Sequence, residues 1–166
     1  MASLQDLPGV ADQFLTLFAA QLTAQGVELP TRQYRAPGSM IVWDGEQLTV
    51  CLMGIAQGQP GLAFAQTYVP EALNLYASFS INLVRAITVM NTEGFEAMEA
   101  PTPPEMDADG VTLINDAQAL ILAASEIHRK YAITGPGEGF VIDGLQPLGP
   151  EGGLAASRLL ISVSLS

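Results

Sequence analysis

Polar and apolar positions along this chain follow two periods, and the switches between them predict its elements. From about Asp6 to Gln25, Val10, Phe14, Phe18 and Leu22 recur every four residues, with Leu15 and Leu17 widening the stripe. That is the period of an amphipathic helix. Asp6 is placed to cap it, Pro8 sits in the first turn where a missing N–H costs nothing, and Gly26 ends it. Thr31 to Ala36 reads as a short strand closed by Pro37-Gly38. From about Gln47 to Ile55, Leu48, Val50 and Leu52 alternate with Thr49, Cys51 and Met53, which predicts a second strand. The stretch 54–72 carries Gly58, Pro60, Gly61 and Pro70 and reads as a long loop.

The most regular period-two segment runs from Leu75 to Val89. Its odd positions are apolar apart from Arg85, and its even positions include Tyr76, Ser78, Ser80, Asn82 and Thr88. One buried and one wet face predict a strand of an antiparallel sheet. Asn91 to Glu105 mixes glutamates with Pro101, Pro103 and Pro104 and reads as an extended, solvated loop. A second helix is expected from about Asp107 to Tyr131. Leu113, Ala117, Leu120, Ala124 and Ile127 form its apolar stripe, with Ile114 and Ile121 alongside. Asp107 and Asp109 suit the positive end of its dipole, and His128, Arg129 and Lys130 the negative end. Phe140 to Leu145 is a further strand, Pro147 to Gly153 a turn or flexible arm, and Ala156 to Leu165 a final strand containing Arg158. The expectation is one α+β domain over 1–166. Its antiparallel or mixed sheet has four to five strands with two long helices on one face, and its flexible loops lie near 54–73, 91–106 and 146–154.

Composition changes this picture at the surface. The chain is 49% hydrophobic and only 14% charged, which suggests that another protein covers part of it. Seventeen acids against six bases give a net charge of −11, too few cations for tight binding to nucleic acid or to an anionic membrane. The one cysteine, Cys51, allows no internal disulfide. The first ten residues lack the basic and apolar regions of a signal peptide, and no apolar run reaches membrane-spanning length. A soluble cytoplasmic chain is the expectation.

Candidate chemistry is sparse. His128 lies in the last turn of a helix beside two basic residues, where no neighbour makes it a catalytic base with an obvious partner, and one His with one Cys cannot make a zinc site. The glycine-rich stretches lack the Lys-Ser/Thr of a phosphate loop, and the acids after Asp107 do not follow calcium-loop spacing. Asp44 and Glu46 share a strand face with nothing to polarise them. No enzyme, cofactor or metal is expected. What stands out is Arg35, Arg85 and Arg158 within strands, each needing a partner: an internal ion pair with Asp44 or Glu46, or a salt bridge to a neighbouring subunit. Trp43, the only tryptophan, adds an interface-type residue.

The stretch Arg35-Ala-Pro-Gly38, followed by Trp43-Asp44-Gly-Glu-Gln47-Leu48-Thr-Val50, resembles the tail-terminator or head-tail connector proteins of long-tailed actinobacteriophages. The element order resembles that group along nearly the whole chain. Relatives often carry cysteines near the Trp-Asp motif, where this chain has Gly45 and Glu46. The resemblance implies a homo-oligomeric ring, a hexamer, in the virion neck, assembled in the host cytoplasm. Its partners would be its own copies, the major tail tube protein and head-closure or connector proteins. Genomic DNA would pass through without specific binding. Arg35, Trp43, Asp44, Glu46, Arg85 and Arg158 are then interface candidates, and Glu93, Glu96 and Glu99 candidates for an acidic lumen. Alternatives are a neighbouring neck protein, or a small-ligand module with its pocket under 54–72.

Overall fold

A computed structural model of the chain describes residues 6–36, 38, 41–57, 75–89, 100–130 and 140–165. Helix α1 (Leu7–Ala24) is followed by strands β1 (Arg32–Ala36), β2 (Gln47–Gln57) and β3 (Leu75–Ala86), helix α2 (Pro103–Lys130), and strands β4 (Phe140–Glu151) and β5 (Leu154–Leu165). The strands form one five-stranded sheet in the order β1-β2-β3-β5-β4. Every pairing is antiparallel except β1 with β2, so the sheet is mixed. The fold is α+β with both helices on one face.

The helices end where local chemistry stops them. Gly26, at φ 81°, takes the left-handed position after α1. Its N–H reaches Thr23 O at 3.0 Å while Val27 N reaches Leu22 O at 3.0 Å, a paired closure that only glycine adopts without strain. Asp6 precedes α1 but makes no side-chain capping bond. Helix α2 starts four residues earlier than the acids at 107 and 109 suggest, so Pro103 to Glu105, expected to be extended, are helical. The signal is Thr102-Pro-Pro-Glu105. Glu105 Oε2 accepts from Thr102 N and Oγ1, both at 2.8 Å, and the prolines occupy turns that need no donor.

The core lies between the helices and the sheet. Phe14, Phe18 and Leu22 of α1 and Leu120, Ala124 and Ile127 of α2 pack on Leu48, Val50, Phe79, Ile81, Leu83, Leu159 and Ile161. The odd positions of β3 are therefore the helix-facing ones, as the alternation requires.

Three features depart from the sequence pattern. The even face of β3 is not wet: Ser80 and Asn82 are fully buried, with Thr49, Gln47 and Ser162 beside them. Strand β4 runs through Pro147 and Pro150 to Glu151, so the turn is confined to Gly152 and Gly153 rather than spanning 147–153. β4 is an edge strand of the sheet, where a proline costs no ladder hydrogen bond on its outer side. Third, β3 ends its sheet pairing at Ala86, opposite Leu154, and Ile87 N then bonds Gly153 O at 2.9 Å.

Candidate functional site

The strand arginines mark where the chain spends its few cations. Arg85 lies on the helix face of β3 near its end. Its Nε and Nη2 bond the two carboxylate oxygens of Asp116 on α2 at 2.7 and 3.2 Å, with side chains only 12% and 6% exposed. This pair ties the sheet to α2 and is an internal ion pair, with Asp116 in place of the expected Asp44 or Glu46. Arg158, on the opposite face, donates from Nε to Asn82 Oδ1 at 2.9 Å. Asn82 Nδ2 in turn lies 3.2 Å from Thr49 Oγ1, 3.1 Å from Ser80 Oγ and 3.3 Å from Cys51 Sγ. A buried amide needs its donors and acceptor satisfied, and this layer supplies them. Cys51 is buried, as expected, but beside polar neighbours rather than only apolar ones.

Neither Asp44 nor Glu46 pairs with Arg35. In the parallel register Arg32 stands level with Gln47, so Arg32 and Tyr34 share the face away from the helices while Arg35 turns toward α1. Arg35 Nε accordingly bonds Asp12 at 2.9 Å. Arg32 holds Asp44 through both carboxylate oxygens at 2.9 and 3.0 Å and lies over the Tyr34 ring at 5.8 Å. Glu46 accepts from Ala86 N at 3.1 Å, anchoring the end of β3 to the start of β2. Arg129 and Lys130 both reach Glu126. All six cations of the chain thus have partners within it.

The Trp-Asp…Gln-Leu motif has a structural role of its own. Residues 41–46, which lead into β2, lie on the face of the sheet away from the helices. There Ile41 and Trp43 pack with Val84, Leu154, Ala156 and Leu148. Gln47 bridges this connection, accepting from the Tyr34 hydroxyl and donating to Val42 O. Asp44 then locks it to β1 through Arg32.

Hydrogen bonding to Arg32 holds the Asp44 carboxyl below its ordinary range and raises the Arg32 guanidinium. Glu105 is lowered by the Thr102 N–H and hydroxyl, and Glu126 by Arg129 and then Lys130. A carboxylate depressed in the folded state adds stability above its unfolded pKa and loses it as pH falls through the folded value. The stability difference between wild type and Asp44→Asn is therefore expected in full at neutral pH, to begin shrinking as pH falls to about 4, and to be lost only below the depressed folded-state value. Urea midpoints of both proteins between pH 7 and 3 measure it. A gap that widens on acidification contradicts the assignment. The pair is solvent-exposed, so high salt also narrows the gap.

Two open clefts flank these residues. One, of about 620 Å³, lies between α2 and the end of β3, with Glu28, Glu46, Asp109 and Asp116 around Arg85. The other, of about 390 Å³, is mostly apolar and lies between the start of α1 and β2. Among the described residues no group of three or more His, Cys, Asp or Glu could hold a metal, and no helix is long and apolar enough to cross a membrane. Glu93, Glu96 and Glu99, and the pocket expected under 54–72, fall outside the described residues apart from 54–57, which belong to β2.

The surface that sequence reasoning missed is the outer side of α2. Ile114 and Ile121, read as companions of the core stripe, point outward instead. Val111, Ile114, Ile121 and Leu122 are 49%, 68%, 36% and 49% exposed. From Gly110 to Ser125 the helix carries one charge, Asp116, and that one is buried. The signal was available as a second apolar series on the same helix, offset from the core stripe. A comparison with protein-family models finds no match for this chain, and neither does one with curated proteins.

Proposed function

We propose that this chain is a structural virion protein, a subunit of a homo-oligomeric ring in the neck of a long-tailed phage. The ring terminates the tail tube and joins tail to head. The observation that carries an assembly role is the uncharged, apolar outer side of α2 on a protein of net charge −11. Exposed apolar surface of this kind marks a protein contact. The resemblance of the Trp43–Val50 stretch supplies the neck, the tail tube protein and the head-closure or connector proteins as partners. Genomic DNA passes through the lumen, and the net negative charge disfavours adhesion to it.

Of the interface candidates, Arg35, Trp43, Asp44 and Glu46 remain on or near the surface beside β1. Arg85 and Arg158 are half-buried and bond Asp116 and Asn82 within the chain. Electron microscopy of tail tubes and heads assembled with gold-labelled chain tests the reading. Label at one end of each tube, with tube growth stopped there, is expected. Tubes that grow on unlabelled in the presence of excess chain overturn it, and label on heads alone moves the protein to a head-closure position.

A further inference from the structure

The exposed positions of α2 follow a heptad-like seam. Asp107, Val111, Ile114, Gln118, Ile121, Ser125 and His128 are spaced alternately four and three residues apart, and all are exposed. This is the spacing with which one helix packs along another. The seam is uncharged along its middle and opposite in sign at its ends. Glu105 and Asp107 lie near the N-terminus, and Arg129 and Lys130 close the C-terminus.

We propose that the outer face of α2 docks against the same face of a second copy, antiparallel, about a two-fold axis beside Gln118. That arrangement sets Ile114 against Leu122 of the copy and brings Asp107 to Arg129 of the copy, twice per dimer. A parallel arrangement would set acid on acid and base on base. Two chains of net charge −11 repel over most of their surfaces, and the uncharged stripe is where they can meet without juxtaposing acids. Arg129 is 68% exposed on its side chain and bonded only at the surface to Glu126, so it can reach across. The contact is isologous, whereas a cyclic ring is closed by a heterologous one, so it rests on the same uncharged face as the assembly reading and leaves ring closure to another surface.

Disulfide trapping in the full-length chain tests it. Cys51 is buried, so a new surface thiol reports alone. Gln118→Cys is expected to cross-link to its own copy under mild oxidation, and Val111→Cys is not. Both cross-linking equally overturns the antiparallel direction, and neither cross-linking overturns the contact. Ile114→Asp is expected to weaken dimerisation at least about a hundredfold, because each dimer loses two buried isoleucines and gains two desolvated carboxylates. Its urea midpoint as a monomer should match that of wild type, since the residue is exposed. A dimer unaffected by Ile114→Asp overturns the proposal. A trapped dimer that never caps tail tubes supports this contact while removing the neck assignment.

Discussion

Replacing Arg85 by alanine is expected to destabilise the fold by about 3–5 kcal/mol, the usual cost of breaking a buried ion pair from one side. The loss exceeds the strength of the two hydrogen bonds, because Asp116, only 4% exposed, keeps its charge with nothing to offset its desolvation. Asp116→Ala should be comparably damaging, since it strands the guanidinium. The double substitution Arg85→Met with Asp116→Leu removes both charges and should recover most of the loss. Urea titrations of the three proteins check this. A loss below about 1 kcal/mol for Arg85→Ala would mean that the pair is open to water. The pair also matters for assembly, because it helps fix α2 on the sheet and so presents the outer stripe.

Phe14→Ala is the second large effect, about 3–5 kcal/mol. Phe14 is fully buried, and its ring meets Phe79 and Phe140 edge-on at 5.6 and 5.5 Å, with Phe18 at 6.3 Å. It therefore joins α1 to β3 and β4 across the whole width of the core. Truncation loses the transfer free energy of the ring, the edge-to-face contacts, and the packing of a cavity that three elements cannot easily close. Phe14→Leu should lose less, because it refills part of the volume. Equal loss for the two would point to the ring contacts rather than the cavity. Neither substitution alters the outer side of α2, so the folded fraction of Phe14→Leu should still associate.

These two sites show how much of the fold is legible in the order of residues. The four-residue recurrence of Val10, Phe14, Phe18 and Leu22 and the alternation from Leu75 reveal which residues share a face. Both elements and their inward sides follow directly. A period does not reveal what lies against a face. Asn82 and Ser80 fall on the polar side of β3, yet they are buried among other polar groups. Partner choice was hidden for a related reason. Arg35 is nearer than Arg32 to Asp44 in sequence, but the parallel register of β1 decides which arginine shares its face. The start of α2 was legible in Thr102-Pro-Pro-Glu105 and was masked by the prolines, which usually argue for a loop. Ile114 and Ile121 belonged to a second stripe on a helix whose first stripe already explained its burial.

Light scattering after size exclusion, over a range of concentrations and with or without tail tube protein, tests the assembly role most directly. Discrete multiples of the 17.5 kDa chain, reaching a closed ring on the tube, are the result expected of a neck subunit. A species of 17.5 kDa at every concentration, unchanged by tail tube protein, would contradict it.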